Sequence, residues 1–229
     1  MSICLVTLLL LNNMLLPNIP WVGGLFIILF SLPGVIGTLE NLGRKKGLLF
    51  ILGLSIFATV FEFLAVKTGF PYGYFWYGDV LLPKIAGTVP LFVSLAWLPI
   101  FLGASALANR AGVPRGVPFM LTVALIMLAV DLVVDPGAVA EGFWAFRNGG
   151  EYFGVPVANF VGWLFMGSFA AFLFPNNIKS EKAVAGLLAV VMFWTVMAIM
   201  HGLVWPALVG LAFVLGTSWF DLRKRGWRS

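Results

Sequence analysis

Long apolar runs dominate the chain, and short segments rich in charge, proline or glycine separate them. A helix needs about 20 consecutive apolar residues to cross the hydrocarbon core of a bilayer. Apolar residues make up 61% of the sequence and charged residues only 10%, whereas about a quarter of a typical soluble domain is charged. The sequence therefore predicts one all-α domain, a polytopic transmembrane helix bundle with spans at residues 21–39, 47–66, 85–108, 117–134, 157–175, 183–200 and 202–220.

The basic residues alternate between the two sides of this predicted bundle. Most of the 14 lysines and arginines follow the first, third, fifth and seventh spans, and only Lys67, Lys84 and Arg147 fall on the other side. Lysine and arginine accumulate on the cytoplasmic side of multi-pass proteins. We therefore expect a multi-pass protein of the cell membrane with its N-terminus outside and its C-terminus in the cytoplasm. The clustered residues are Arg44, Lys45, Lys46, Arg110, Arg115, Lys179, Lys182, Arg223, Lys224, Arg225 and Arg228.

The first 20 residues differ from the spans that follow. Residues 1–16 are apolar but lack the basic region and the small-residue cleavage site of a signal peptide. Polar residues and prolines interrupt them, so we interpret residues 1–20 as an interfacial or partly inserted segment.

Several chemistries lack the residues that they need. Cys4 is the single cysteine, no Cys and His cluster has metal-ligand spacing, and no glycine-rich loop follows a strand. The last span has no lysine for a retinal Schiff base. We therefore expect no metal site, and membrane topology explains the net charge of +5 better than nucleic-acid binding does.

Three acidic residues fall within the apolar spans, where an ionised group is costly and is often functional. Glu62 lies near the outer end of the second span, and Asp131 and Asp135 lie at the outer end of the fourth, which Pro136 is expected to end. The four-residue spacing puts both aspartates on one helix face. Because the acids share a region of low dielectric, at least one is expected to hold a proton at neutral pH. Alternatively, they pair with the outer basic residues, cap helices or bind water.

The two outer loops next to these acids are rich in aromatic residues. Residues 70–77 include six aromatic side chains interleaved with glycine and proline, and residues 143–153 include five more. Tryptophan and tyrosine favour the membrane interface, so an aromatic belt is one interpretation. The density of rings favours another, a folded loop that closes over an apolar ligand.

A short motif occurs twice, as Val-Pro with a tryptophan seven positions after the proline. It relates Pro90 to Trp97 and Pro156 to Trp163. Proline suits the first turn of a helix, and each tryptophan would then lie two turns deeper on the same face. The motif suggests that residues 47–108 and 117–175 are parallel pseudo-repeats that line one outward-facing cavity.

Two further polar residues lie in or between the later spans. Asn159 is one turn into the fifth span, where its amide could orient a water or a carboxylic acid, although a cap or a helix–helix contact explains it equally well. His201, the single histidine, separates the last two spans and is interpreted as structural. Those spans form either a tight helical hairpin or one poorly separated pair.

Together these motifs resemble those of the membrane carotenoid hydratase family of archaea and bacteria. The resemblance covers residues 50–170 and rests on the Glu62 helix, the Gly-Phe-Pro-Tyr-Gly-Tyr loop, Asp131-x-x-x-Asp135-Pro and the two Val-Pro motifs, in matching order and spacing. It implies a cofactor-independent hydro-lyase that adds water across the terminal carbon–carbon double bond of an acyclic carotenoid, giving a tertiary alcohol. The implied partners are a lipophilic carotenoid and membrane lipid, and association with other carotenoid enzymes is compatible with it.

The acidic and aromatic residues suit this chemistry. Hydration of an isolated alkene needs a strong acid, a stabilised tertiary carbocation and a positioned water. A buried neutral carboxylic acid can supply the proton, and aromatic faces stabilise a cation by about 0.5–2 kcal/mol per contact. We expect Asp131 or Asp135 to be the acid, with Glu62 as its partner for water. The expected substrate-binding residues are Tyr72, Tyr74, Trp76, Tyr77, Asp79, Trp97, Trp144, Asn159 and Trp163.

Two other functions use the same residues. A carotenoid end-group cyclase would form a similar cation that loses a proton and gains no water. An outward-facing, proton-coupled transporter of an apolar solute would use the acids without chemistry. Inverted repeats and helices broken at the midplane would favour the transporter, and the sequence has neither.

Overall fold

The computed structural model describes residues 22–79 and 81–226. These residues confirm the expected all-α bundle, and the interfacial segment expected at residues 1–20 lies outside them. The helices are α1 (Val22–Leu42), α2 (Arg44–Thr68), α3 (Val93–Ala111), α4 (Val117–Ala140), α5 (Val157–Leu173), α6 (Glu181–Met200) and α7 (Val204–Gly226).

Local sequence explains where several helices begin and end. Gly69 and Gly112 follow α2 and α3 with φ angles of 79° and 78°, a left-handed conformation that glycine adopts without strain. Ser180 precedes α6, and its side chain accepts a hydrogen bond from the backbone N–H of Ala183. Gly202 turns the chain between α6 and α7 with a φ of 67°. The last two spans therefore form a tight helical hairpin, one of the two expected arrangements.

Helix α4 does not end at Pro136, as we expected, but continues to Ala140. A proline inside a helix removes one backbone hydrogen bond, yet packing of the next turn can keep the helix going. That packing is close here, because a β-carbon on Gly137 would come within 2.7 Å of the Trp194 ring. The fourth span is therefore longer than its apolar run.

Four short strands lie in the loops at one end of the bundle: β1 (Phe75–Tyr77), β2 (Lys84–Ile85), β3 (Val89–Pro90) and β4 (Trp144–Phe146). β2 and β3 form an antiparallel hairpin, so the third span begins at Val93 and not at residue 85. For the same reason Pro90 lies in a strand and not in a first helical turn, whereas Pro156 directly precedes α5. β1 pairs with β4 and joins the loop after α2 to the loop after α4.

Helix α3 lies at the centre of the bundle, and every residue from Trp97 to Asn109 is buried. Helices α1, α2, α4 and α6 pack around it, while α5 packs mainly on α4, and α7 packs on α6 and α4. The α2 and α5 backbones do not pack closely against each other. Instead, Phe57 and Phe61 of α2 meet Phe169 of α5 at ring-centroid distances of 5.8 and 6.0 Å. We refer to this ring-filled boundary as the α2–α5 seam.

The outer surface of the bundle is apolar, as a membrane protein requires. Helices α1 (from Gly23), α2, α4 and α6 are long and apolar enough to cross a membrane, and the apolar segments Val157–Leu173 and Val204–Phe220 are shorter. On α2, Leu49, Leu52 and Ile56 are more than half exposed and share one helix face. A contiguous surface of this kind indicates a lipid environment.

The two ends of the bundle differ in chemistry. The strands and the loops around them form the aromatic end, and the opposite end, which includes Lys46 and Lys182, is the basic end. At the basic end the buried Asn109 donates hydrogen bonds to the side chain of Asn176 and to the backbone oxygen of Ile178, at 3.2 and 2.9 Å. This contact holds the connection between α5 and α6 against α3.

The orientation of these ends is a prediction that single cysteines can test. In a Cys4→Ser background, Lys46→Cys and Asn148→Cys place one exposed thiol at the basic end and one at the aromatic end. We expect a membrane-impermeant maleimide to label Asn148→Cys on intact cells and Lys46→Cys only after permeabilisation, because basic loops remain in the cytoplasm. The opposite labelling pattern would contradict the predicted orientation and place the basic end outside the cell.

Candidate active site

Two carboxyl groups of α4 share one amide donor. Nδ2 of Asn159 on α5 donates to Oδ2 of Asp131 at 2.9 Å and also to Oδ2 of Asp135. The shared donor brings the two carboxyl groups together, and all three side chains are buried. Two negative charges held this close in a buried site repel each other, so a proton on one of the carboxyl groups is favoured. The pair is therefore arranged to hold one proton.

The third acid, Glu62 of α2, has a different set of partners. Its Oε2 accepts a hydrogen bond from the Tyr77 hydroxyl at 2.6 Å, and its Oε1 accepts one from Nε1 of Trp97 at 3.2 Å. Burial, and then the nearby Glu62 carboxylate, raise the pKa of Tyr77 well above its usual range. The hydroxyl therefore stays protonated and donates a hydrogen bond to Glu62. Two donors on two oxygens are the pattern that suits an ionised carboxylate.

The basic residues near this end do not neutralise the acids. Nζ of Lys84 forms a salt bridge with Asp79 at 2.8 Å and lowers the pKa of that exposed carboxyl group. Arg147 lies over the ring of Tyr74, 4.1 Å from its centroid. In the described residues the salt bridges do not include the three intramembrane acids, so the expected alternative of ion pairing is wrong there.

A cavity opens beside the acids. Its volume is about 110 Å³. Because one water needs about 10–15 Å³, the cavity has room for several water molecules. Glu62, Asp135 and Asn159 line it together with mostly apolar side chains from other helices, from β1 and β4 and from the loops. Those others are Ile27, Phe30, Tyr72, Phe75, Tyr77, Leu81, Val93, Ala96, Trp97, Pro99, Ile100, Val134, Phe143, Trp144, Phe146, Trp163, Val190 and Trp194.

Two tryptophans from different helices stack beside the acids. Trp97 of α3 and Trp163 of α5 lie 5.0 Å apart with an interplanar angle of 19°, and Tyr72 adds a third ring 5.7 Å from Trp163. These tryptophans are the two that the repeated Val-Pro motif relates. The pseudo-repeat remains a prediction, but its two tryptophans meet in one cavity wall.

Tyr72 is held beside this wall by a close contact between its loop and α5. A β-carbon on Gly162 would come within 2.5 Å of the Pro71 carbonyl oxygen and 2.8 Å of the Tyr72 ring. Burial and the carboxyl groups of Glu62, Asp131 and Asp135 raise the pKa of Tyr72 well above its usual range. Its hydroxyl is therefore a neutral group among acids.

Replacing Gly162 by alanine is expected to displace the Tyr72 loop. Overpacking of this kind costs about 1–3 kcal/mol, so the variant should unfold at a lower temperature in detergent and should lose activity. Gly216→Ala in α7 is the matched control, because a β-carbon there meets no atom within 4 Å. If both variants unfolded at the same temperature, the close contact between Gly162 and the Tyr72 loop would be contradicted.

Three of the expected substrate-binding residues do not line the cavity. Trp76 is 52% exposed, because successive residues of β1 face opposite sides and its neighbours Phe75 and Tyr77 take the buried side. Tyr74 is 44% exposed and contacts Arg147. Asp79 is exposed and bound to Lys84. Sequence alone did not show the strand alternation that separates them from the cavity.

The cavity also has a wall that sequence analysis missed. Ile27 and Phe30 come from α1, and Val190 and Trp194 come from α6. These side chains are apolar residues in apolar spans, so nothing in the chain distinguishes them from lipid-facing residues.

Outside the cavity, Nε2 of His201 lies 2.6 Å from Glu141 Oε1 at the α6–α7 turn. This contact between two loops agrees with the structural interpretation of His201. Among residues 22–79 and 81–226, no three His, Cys, Asp or Glu side chains are grouped to hold a metal ion.

A family model described as "Carotenoid biosynthesis protein" matches residues 22–217, from the start of α1 into α7. The match includes all three acids, Asn159 and both stacked tryptophans. The chain belongs to this family.

A curated relative in the family is the bisanhydrobacterioruberin hydratase of Haloarcula japonica. It is 39% identical over 179 residues, which cover 74% of this chain and 59% of the relative. The chain therefore spans about three-fifths of the relative's length. No solved structure matches the chain.

Proposed function

We propose that this protein is an intramembrane carotenoid hydratase, a cofactor-independent hydro-lyase that adds water to the terminal carbon–carbon double bond of an acyclic carotenoid. The observation that carries the proposal is the cavity itself. It is apolar enough for an isoprenoid end group, yet it is lined by the carboxyl groups of Glu62 and Asp135 and by stacked indole rings. The hydratase named among the relatives supports the same substrate class.

In the first step the aspartate pair supplies a proton. The neutral member of Asp131 and Asp135 protonates the alkene carbon that bears hydrogen, and the positive charge develops on the carbon that bears two methyl groups. Asp135 lines the cavity and is the direct donor, while Asp131 shares its proton and Asn159 orients both groups. A positioned general acid contributes roughly 10²–10⁴-fold to such a step.

The tertiary cation is stabilised by the surrounding rings. The faces of Trp97, Trp163 and Tyr72 attract positive charge through their quadrupoles, by about 0.5–2 kcal/mol per contact. Aromatic rings offer no lone pair that captures the cation under these conditions. The cation therefore lasts until water reaches it.

In the last step a water oxygen forms a bond with the cationic carbon and loses a proton to Glu62. The two donors on Glu62, Tyr77 and Trp97, hold its carboxylate in a fixed orientation. Transfer of that proton back to the aspartate pair restores the starting state, so the net reaction is alkene plus water to tertiary alcohol.

Expression in a lycopene-producing host tests the proposal. We expect a new pigment that is heavier than lycopene by one water for each modified end. A pigment of unchanged mass with altered retention would identify a cyclase, and an unchanged pigment pool with the protein inserted in the membrane would contradict both enzymatic functions. The Gly216→Ala variant provides a matched positive control.

A further inference from the structure

The cavity is divided by chemistry into two parts. Its hydrogen-bonding acids and amide come from α2, α4 and α5, namely Glu62, Asp135 and Asn159. The part formed by α1, α3 and α6 is lined by hydrocarbon and indole side chains: Ile27, Phe30, Ile100, Val190 and Trp194. We refer to this second part as the apolar arm.

The apolar arm extends across the bundle from the acids. α1 packs on α2, α3 and α6, whereas α5 packs on α4. A cavity that is lined by both Asn159 of α5 and Phe30 of α1 therefore reaches between helices that are not close neighbours in the bundle. Its residues also lie at several depths, since Val93 and Ile100 on α3 are two helical turns apart.

The polar groups close to the arm are already engaged. Pro99 has no N–H, so it cannot satisfy the Leu95 carbonyl within α3. The Ser31 hydroxyl of α1 lies 2.8 Å from that carbonyl oxygen and 2.7 Å from the Ile27 carbonyl oxygen. This hydroxyl is thus satisfied by backbone oxygens, and the arm offers a surface that suits a hydrocarbon.

We propose that the apolar arm is the binding site for the conjugated polyene chain, so that a carotenoid lies with its end group at the acids and its adjoining chain between α1, α3 and α6. This inference rests on the proposed function and adds the direction in which the substrate lies. A polyene has no hydrogen-bonding groups, and burying it against hydrocarbon gains about 25 cal/mol per Å² of apolar surface.

The α2–α5 seam is the competing route from the acids to the lipid. Phe57 and Phe61 there are in ring contact with Phe169, and Phe57 also contacts Trp97 at 6.0 Å. None of these three phenylalanines lines the cavity. The rings therefore fill the seam, and the open space lies in the arm.

A matched set of tryptophan substitutions distinguishes the two routes. Ile27 is half-buried and lines the arm, Leu29 on the same helix is 38% exposed, and Phe165 lies at the outer side of the seam, 48% exposed. Each is replaced by tryptophan in an Asp135→Asn background, which keeps substrate from turning over. The proteins are purified in detergent from a lycopene-producing host, and the molar ratio of lycopene to protein is measured by absorbance.

We expect Ile27→Trp to lower the retained lycopene by about tenfold or more, because the added bulk of the indole would take up the space that the polyene needs. Leu29→Trp and Phe165→Trp should retain it as the parent does. Ile27→Asn, which puts an amide into the arm without added bulk, should also lower retention and covers the case in which Ile27→Trp fails to fold.

Equal retention in all variants, or a loss confined to Phe165→Trp, would overturn the apolar arm as the polyene site. These outcomes are separable from a failure of the proposed function. Binding that depends on Ile27 in a protein whose parent forms no hydrated product would support the arm and refute the hydratase. If Ile27→Trp in the protein with its native Asp135 hydrates carotenoid normally, the apolar arm is refuted as the polyene site and the proposed hydratase activity stands.

Discussion

Asp135→Asn is expected to reduce hydration of an acyclic carotenoid by roughly 10²–10⁴-fold, the contribution of a positioned general acid. The change keeps the shape of the side chain but removes the proton that the aspartate pair shares. Steady-state rates of the purified protein in detergent would measure it. Asp131→Asn should have a smaller effect, because Asp131 acts through Asp135.

The matched control for this change is Glu40→Gln, which removes an exposed acid at the basic end that binds Lys182. It should hydrate carotenoid as the parent does. If Asp135→Asn and Asp131→Asn both kept the parental rate, the aspartate pair would not be the proton donor.

Glu62→Gln is also expected to reduce the rate of carotenoid hydration by roughly 10²–10⁴-fold. A glutamine has nearly the same volume and keeps an oxygen for Trp97 or Tyr77, but it cannot accept a proton from water. The two losses should differ in kind. In deuterated water Glu62→Gln should still protonate the alkene and return it, so recovered carotenoid gains deuterium at the end group, whereas Asp135→Asn should give neither deuterium nor product.

Isotope analysis of the recovered carotenoid by mass spectrometry checks this difference. Tyr77→Phe is the control for the position of Glu62, since it removes one donor and leaves the carboxylate. It should lower the rate without abolishing deuterium exchange. Deuterium uptake in Asp135→Asn and none in Glu62→Gln would show the reverse assignment, in which Glu62 protonates the alkene and Asp135 accepts the proton from water.

The all-α bundle could be predicted from sequence because transmembrane spans are specified by local hydropathy. The apolar runs predicted each of the seven helices in the described part of the chain, and the acids were visible as charges within them. Pro136 misled the prediction of one helix end, because its helix is held by the contact between Gly137 and Trp194, which sequence does not show. The predicted start of the third helix at residue 85 was wrong, because β2 and β3 form a hairpin there.

The site was predictable in its chemistry and less so in its shape. Asn159 was expected to orient a carboxylic acid as one of its two interpretations, and it contacts both aspartates. Which aromatic residues face the cavity depends on strand alternation in β1 and on its pairing with β4. The walls from α1 and α6 depend on helix packing across the whole chain, and the sequence does not distinguish their apolar side chains from those that face lipid.

The central claim is that water is added to a carotenoid within this cavity of buried acids. Incubation of the purified protein with lycopene in water enriched in oxygen-18, followed by mass spectrometry of the pigment, measures that event directly. We predict one labelled oxygen in each hydrated end group, and loss of the label in Asp135→Asn. An altered pigment without labelled oxygen, or equal labelling by Asp135→Asn and the parent, would contradict the account.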